Sequence, residues 1–211
     1  MILYSLSLIG VAVFAISGAI AAGRKQLDWV GVVALGVVTS LGGGTIRDVL
    51  LKERTVFWIE EPAYLVVAIV SSLLFILYTR FSAPPGNSLR IADALGLALF
   101  SIAGAQISEA QGCAAIVVIL MGITTGVAGG IIREALSNET PMLFRSSEPL
   151  YSVAALAGIL GYLLMQKLGM ERGLAAMLGA AVVATVRLAA MYWNIRLPAF
   201  SLAHHSSSNR G

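Results

Sequence analysis

Two short stretches decide the fold of this 211-residue chain: Gly-Gly-Thr-Ile-Arg-Asp at 43–48 and Gly-Gly-Ile-Ile-Arg-Glu at 129–134. Each ends a long apolar segment and joins a pair of glycines to an arginine and an acid. Glycine weakens a helix, and ionisable groups are costly inside a membrane. A motif that combines both features and occurs twice predicts a functional element and not only a packing element.

The motif belongs to an internal repeat with an offset of 86 residues. The same offset places Phe14-Ala-Ile-Ser-Gly-Ala on Phe100-Ser-Ile-Ala-Gly-Ala, and an offset one residue longer places Glu61-Pro62 on Glu148-Pro149. Repeats define the folding unit before single motifs are interpreted. Three landmarks in the same order indicate two copies of one unit.

The composition predicts that this chain is dissolved in lipid. Hydrophobic residues make up 58% of it and charged residues only 12%, whereas soluble domains carry about 25% charge. The net charge of +3 is assigned to loops and lipid headgroups, and nucleic acid is not expected as a partner. Cys113 is the single cysteine, which excludes an intrachain disulfide.

Seven segments are apolar enough to be membrane spans, which need about 20 residues each. The first is interpreted as a helix and not as a cleaved signal, because Arg24 and Lys25 follow its apolar stretch. The predicted spans are 3–22, 29–50, 62–79, 92–108, 113–134, 150–166 and 173–194.

Each copy of the repeat spans three times, so the second copy enters from the opposite face of the membrane. The predicted fold class is an all-α integral membrane protein with seven transmembrane helices, an inverted three-plus-three repeat and one further helix. The predicted divisions are 1–82 for the first repeat, 88–168 for the second, 173–197 for the seventh helix and 198–211 for a disordered tail. In that tail His204 and His205 are interpreted as inert and not as a metal pair.

The distribution of Lys and Arg predicts the orientation. Cytoplasmic loops carry an excess of positive charge, which places the N-terminus outside and the C-terminus in the cytoplasm of a prokaryotic inner membrane. The cytoplasmic side collects Arg24, Lys25, Arg80, Arg90, Arg133, Arg145, Arg196 and Arg210, and the outer side Arg47, Lys52, Arg54, Lys167 and Arg172.

Glycines are predicted to break or kink the second and fifth spans and to open a water-lined cavity there, since freed backbone groups must face protein or water. The alternative is close packing of helices, which also favours small residues. Hydroxyls on the same spans either bond back to their own helix or replace part of an ion's hydration shell. The glycines are Gly42, Gly43, Gly44, Gly126, Gly129 and Gly130, and the hydroxyl residues are Thr39, Ser40, Thr45, Thr124 and Thr125.

Charged pairs follow both glycine clusters, as Arg47-Asp48 and Arg133-Glu134. Adjacent helical residues point about 100° apart, so neither pair is expected to be a simple self-cancelling bridge. We expect an arginine from one repeat to face a cavity and meet an acid from the other, where it gates the cavity or binds a ligand. Headgroup contact at a helix end is the alternative.

Two further charges lie in or near spans. Asp93 is interpreted as an acid at a helix start, stabilised by the helix dipole, with a cavity-lining role as the alternative. Arg187 lies inside the seventh span and needs a partner from a subunit interface, a lipid phosphate or the cavity. Glu109 is interpreted as a loop residue. No catalytic constellation or metal-ligand spacing is recognised, so the protein is not predicted to be an enzyme.

The two motifs, together with Asp93-Ala-Leu-Gly-Leu-Ala-Leu-Phe100, resemble bacterial membrane proteins with a duplicated "glycine transporter" domain, which are similar in turn to trimeric intracellular cation (TRIC) channels. The resemblance covers residues 1 to about 197. It implies a homotrimer with one pore per protomer, lined by the kinked second and fifth helices, that conducts monovalent cations and mainly potassium. It implies no cofactor, only permeant potassium or sodium and bound lipid. The lysine-containing motif of animal members is absent from Ala128–Arg133, so phosphoinositide dependence is not expected.

Three functions remain open from the residues alone. The first is a passive potassium-permeable channel, and the second is a carrier for a small zwitterion such as glycine, whose two charges would meet the arginines and carboxylates. The third is a membrane scaffold or lipid-binding protein, in which the glycines serve packing only.

Overall fold

The computed structural model describes residues 2–52, 55–145, 148 and 150–196. Within these ranges the chain is all-helical, with eight α-helices and one 3-10 helix. The α-helices are α1 Ile2–Arg24, α2 Trp29–Leu51, α3 Phe57–Glu60, α4 Ala63–Thr79, α5 Ser88–Ala110, α6 Ala115–Leu136, α7 Tyr151–Lys167 and α8 Arg172–Tyr192, and the 3-10 helix is Met142–Phe144. The predicted tail 198–211, with His204 and His205, lies outside the described residues, as do Arg54 and Arg210.

Each predicted span corresponds to one long helix, with ends that differ by at most four residues. Local capping explains two of the starts. The Asp28 carboxylate accepts a hydrogen bond from the Gly31 amide at 2.7 Å before α2, and Glu171 accepts from two amides of the first turn of α8. These two amide donors lower the pKa of the Glu171 carboxyl.

Five of the described helices are long and apolar enough to cross a membrane by themselves: α1, α2, α5, α6 and α8. Helix α4 is apolar but has only 17 residues, and α7 has the same length. Seventeen residues lie at the short end of the range for a span. The all-helical membrane class is therefore confirmed, and the count of seven spans stays a prediction.

Contacts between loops divide the helix ends into two faces. On one face Arg24 donates to the Gly86 carbonyl at 2.8 Å, and Lys25 lies 3.1 Å from Glu139, whose pKa its hydrogen bond lowers. These contacts join the loops that follow α1, α4 and α6. On the other face the Arg172 guanidinium lies 3.1 Å from Glu109, which joins the end of α5 to the start of α8.

The predicted interruption of the second and fifth spans is wrong. Helices α2 and α6 run without a break through all six glycines. The physical reason is tertiary: a methyl group on Gly43 would overlap the Thr125 carbonyl oxygen, and one on Gly129 would overlap that of Thr39. Close contact between the two helices thus requires glycine, which was the packing alternative. A bend within the continuous helices stays a prediction.

Candidate functional site

Helices α2 and α6 cross at a pair of reciprocal contacts. Gly43 of α2 packs on the backbone oxygen of Thr125, and Gly129 of α6 packs on that of Thr39. Both threonine hydroxyls donate to the carbonyl four residues earlier, each at 2.6 Å. Because 43 and 129, and likewise 39 and 125, differ by the repeat offset, the two contacts are copies of one another.

The contacts within each half are copies of one another as well. A methyl on Gly36 would lie 3.0 Å from the Ala15 oxygen, and one on its repeat mate Gly122 would lie 2.8 Å from the oxygen of Ser101, the mate of Ala15. The two halves contact each other with exchanged mates, since Gly43 meets Thr125 and Gly129 meets Thr39, and such an exchange is the mark of a two-fold relation. The two halves are thus related by a pseudo-two-fold axis through the crossing of α2 and α6.

An aromatic pair lies on this axis. The rings of Phe14 and Phe100 stack with centroids 5.4 Å apart and planes 9° apart. Each is the repeat mate of the other, so a two-fold axis must pass between them. Both side chains are buried, at 1% and 4% exposure, and they fill the centre of the molecule beside the helix crossing.

The structure does not bring the two arginines to one site. Helices α2 and α6 are antiparallel where they cross, and Arg47 and Arg133 lie on opposite sides of the crossing. The centre of the crossing lies midway between Thr39 and Gly43 on α2, and midway between Thr125 and Gly129 on α6. Each arginine comes six residues after this centre on its own helix. At 1.5 Å per residue the two arginines therefore lie about 18 Å apart along the helix axes. The expectation of a single shared site is wrong, and there are two related sites.

The first site is built around Arg47, which is 3% exposed. Its Nε and Nη2 atoms both lie 2.8 Å from Oδ1 of Asp48, whose other oxygen accepts from the Phe57 amide at 2.9 Å. The guanidinium carbon also lies 5.5 Å from the centre of the Phe57 ring. The short helix α3 therefore closes over the charged pair and satisfies it.

The second site repeats this arrangement and adds to it. Arg133 Nη2 lies 3.1 Å from Glu134, which accepts from the Met142 amide at 2.7 Å. Arg133 Nη1 donates to Asp93 at 2.8 Å and to the Ser17 hydroxyl at 2.5 Å. Arg133 and Asp93 are both fully buried, so this is a closed network of charge-assisted hydrogen bonds.

Four expectations about the charges are therefore corrected. Each arginine does pair with the acid next to it, because α3 and the 3-10 helix fold back and hold that acid in place. The further acid that meets Arg133 is Asp93, which belongs to the same repeat and not to the other. Helix α5 begins at Ser88, so Asp93 lies in its second turn as an ion-pair partner and not at the helix start. Glu109 lies in the last turn of α5 and accepts from the Tyr162 hydroxyl, so it is not a loop residue.

A cavity of about 220 Å³ opens at the first site. Arg47 contributes one positive charge to its lining, and Glu60 and Glu61 contribute two negative charges. Since Arg47 is also paired with Asp48, the field in this cavity favours cations. The lining consists of Tyr4, Ser7, Arg47, Phe57, Glu60, Glu61, Tyr64, Phe100, Ala103 and Ile107.

Arg187 joins the second site from outside the repeat. It is fully buried, lies 3.2 Å from Glu148 and stacks its guanidinium 4.6 Å from the centre of the Tyr151 ring. Arg90 binds the other oxygen of Glu148 at 3.0 Å. Arg187 thus has an acid partner within the described chain, and α8 contributes to the second site through it.

The remaining predicted residues lie at the helix crossing. Thr39, Ser40, Thr45 and Thr125 all donate to carbonyls of their own helix, and Thr45 also accepts from the Trp58 indole at 3.0 Å. Thr124 is half-buried. A methyl group on any of the other four glycines would meet a side chain: Ile132 at Gly42, Phe57 at Gly44, Ser101 at Gly126, and Asp93 with Tyr151 at Gly130.

Sequence reasoning missed Ser17, Phe14 and Phe100 as members of the site. The signal was present for all three, because they lie in the two segments that define the repeat. It also missed α3 and the 3-10 helix, which are too short to give a periodic pattern. The similar spacing between each motif and its Glu-Pro landmark, which differs by one residue between the copies, was the available hint that the two loops are built alike.

Sequence comparisons connect the chain to known membrane proteins. A family model described as "Glycine transporter" matches it twice, over residues 4–80 and 90–167. The UPF0126 inner membrane protein YadS of Escherichia coli is 41% identical over 204 residues, which are 96% of this chain and 98% of the relative. A UPF0126 membrane protein of Vibrio cholerae is 38% identical over 95% of this chain and 84% of the relative.

Solved structures of the same architecture are also found. The TRIC trimeric intracellular cation channel orthologue from Rhodobacter sphaeroides has a TM-score of 0.86 at 35% identity and covers 92% of this chain and 98% of its own. A prokaryotic TRIC channel crystallised in 0.5 M KCl has a TM-score of 0.84 at 32% identity, over 93% of this chain and 99% of its own. These relatives are described as channels or membrane proteins and not as enzymes.

Proposed function

The chain belongs to the TRIC channel family as a prokaryotic member, and from this premise we propose that it is a potassium-permeable cation channel. The observation that carries the proposal is the pair of buried arginine sites on opposite sides of the α2–α6 crossing, one of which opens into an acid-lined cavity. Buried ionisable groups at membrane depth mark ion pathways. The path that we propose from one site to the other passes the stacked rings on the pseudo-two-fold axis, where Phe100 lines the first cavity.

In the proposed mechanism Glu60 and Glu61 raise the concentration of cations at the mouth of the cavity. Arg47 and Arg133, each held by its neighbouring acid, set the field at the two ends of the path. The glycines of α2 and α6 supply the point where the helices slide or bend, because they add no side chains of their own to the crossing. Permeation requires that Phe14 and Phe100 separate.

Family membership supports a proposal for the assembly. We propose seven spans, a homotrimer with one path per protomer, and contact with membrane lipid on the exposed faces. The orientation is N-terminus outside and C-terminus cytoplasmic, which turns the Arg47 cavity outward. The grouping of the Arg24, Gly86 and Glu139 loops on one face supports the alternating topology that this orientation requires. Potassium and sodium enter as permeant ions, and no cofactor is involved.

One observation favours a second candidate, a carrier for a small amino acid such as glycine. The cavity carries both an arginine and carboxylates, so the two charges of a zwitterion could be paired within it. A channel and a carrier differ in stoichiometry and rate, which makes them separable by transport measurements on one preparation.

The test uses purified protein in proteoliposomes, with potassium efflux and labelled glycine uptake measured on the same vesicles. The channel proposal predicts efflux that is fast and does not saturate at millimolar concentrations, without glycine uptake above empty vesicles. Saturable glycine uptake without potassium efflux would replace the channel with the carrier. Inactivity in both assays, with intact trimers, would favour a scaffold.

Substitution of Gly44 tests whether the crossing takes part in conduction. A methyl at Gly44 would lie 2.5 Å from the Phe57 ring, which lines the cavity. Gly44→Leu is therefore expected to push α3 into the cavity and to reduce potassium flux at least tenfold, with a much smaller loss of trimer yield. Gly23→Leu is the matched control, since a methyl at Gly23 meets nothing within 4 Å. Equal losses of flux and yield would show that Gly44 is only structural.

A further inference from the structure

The two arginine sites are related by the pseudo-two-fold axis but are not equivalent. The mates of Ser7, Ala103 and Tyr4 at the repeat offset are Asp93, Ser17 and Arg90. All three first-site residues line the cavity beside Arg47. All three second-site residues instead make polar contacts, which are Asp93 and Ser17 with Arg133, and Arg90 with Glu148.

The chemistry of these positions explains the difference. Ser7 and Ala103 cannot offer a charge to Arg47, and Tyr4 cannot offer one to the acids of the first site. At the second site Asp93 supplies a full negative charge 2.8 Å from Arg133. An ion pair in a low-dielectric interior is held far more strongly than one in water. The space that is a cavity on one side is thus occupied by bonded side chains on the other.

Asp93 is the member of this set with the largest effect. It is fully buried, and among the described residues its Oδ2 atom has no hydrogen-bond partner. Its charge is balanced by Arg133, and the Tyr151 hydroxyl hydrogen-bonds to the same carboxylate. Without that contact the carboxylate would need water, so separation of the pair requires that the second site become hydrated.

We propose that Asp93 latches the second mouth of the path shut, and that serine at the equivalent position, Ser7, leaves the first mouth open. The residue at this one repeat position decides which of two otherwise similar sites admits water. The proposal rests on the proposed channel function, because the two sites are mouths only if a path joins them. The accessibility of each site to water can nevertheless be measured without any current.

The test measures the reaction of single cysteines with a charged, water-soluble thiol reagent. In a Cys113→Ser background, Ala103→Cys reports on the first site and its repeat mate Ser17→Cys on the second. We expect Ala103→Cys to react at least tenfold faster than Ser17→Cys. Asp93→Ser should accelerate the Ser17→Cys reaction at least tenfold, and Ser7→Asp should slow the Ala103→Cys reaction by a similar factor.

Two controls separate a latch from general loosening. Ser5→Asp makes the same change two residues earlier on the exposed part of α1 and should leave the Ala103→Cys rate unchanged. Asp93→Ser should leave that rate unchanged as well. If Asp93→Ser prevents folding, Ser7→Asp tests the proposal by itself, because it adds a latch instead of removing one.

Three outcomes would overturn the proposal: equal rates at Ala103→Cys and Ser17→Cys, no effect of Ser7→Asp, or equal acceleration of both reporters by Asp93→Ser. Silence of the protein in potassium flux assays, with the predicted cysteine rates, would remove the channel function and leave the latch standing. Normal potassium flux, with cysteine reaction rates that Asp93→Ser and Ser7→Asp do not change, would remove the latch and leave the channel function standing.

Discussion

Replacement of Arg133 by methionine should destabilise the protein by about 3–5 kcal/mol, the usual cost of removing one partner from a buried ion pair. Asp93 and Glu134 both contact this guanidinium, and all three groups are buried. The loss would leave uncompensated negative charge where water is excluded. Thermal unfolding of the purified protein in detergent measures the effect, together with the yield of folded trimer.

Arg145→Met is the matched control, because Arg145 makes an ion pair with Glu139 at 3.2 Å near the surface. An exposed pair contributes about 0–1 kcal/mol, so this variant should unfold close to the parent. The double variant Arg133→Met with Asp93→Asn should recover part of the loss, since one orphaned charge is removed. Equal stability of Arg133→Met and Arg145→Met would show that the second site is not the closed network described above.

Alanine at Gly43 or Gly129 should cost about 3 kcal/mol or more, at the upper end of overpacking effects. The added methyl would overlap a backbone carbonyl oxygen of the facing helix, which cannot rotate away as a side chain can. Because the two contacts are copies, the two variants should lower the unfolding temperature by similar amounts. That equality tests the pseudo-two-fold relation itself.

Gly161→Ala provides the contrast, as a methyl there meets nothing within 4 Å and alanine favours a helix over glycine by about 1 kcal/mol. It should be neutral or slightly stabilising. Should Gly43→Ala and Gly129→Ala behave like Gly161→Ala, the two helices would not touch at these glycines, which would contradict the crossing described above. A large difference between the two would contradict the symmetry.

The helix ends were predictable from sequence because one physical quantity, the length of each apolar run, sets them. Lipid tolerates only long apolar helices, so each apolar run and the polar turn after it mark one element. The repeat was predictable for a similar reason, since two copies of one unit keep the residues that both copies need. The Gly-Gly-x-Ile-Arg-acid motif is such a set of residues, and its two copies do occupy equivalent places.

The errors concern quantities that depend on the partner helix. Glycine clusters predict weak helices when a helix is considered alone, but Gly43 and Gly129 are each matched to one carbonyl on the facing helix. The contact between each glycine and the facing carbonyl breaks no hydrogen bond within either helix, so both helices remain continuous. Local propensity was overruled by tertiary contact, as happens commonly at buried positions.

The position of Asp93 was misjudged for the same reason. Its place near the start of a span suggested an interaction with the helix dipole, and only the packing of α5 on α6 shows that it faces Arg133. Comparison of the repeat mates would have given a clue, because Ser7 at the equivalent position cannot replace a carboxylate. Differences between the two copies are thus as informative as their similarities.

The most direct measurement of the central claim is the reversal potential of single-channel currents in a planar bilayer with a potassium chloride gradient. The account predicts unitary currents that reverse near the potassium equilibrium potential, because the acid-lined cavity selects cations ahead of the arginine sites. Reversal near the chloride potential would contradict it, since the arginines would then be attracting the permeant ion. Absence of unitary currents from intact trimers would contradict the channel function altogether.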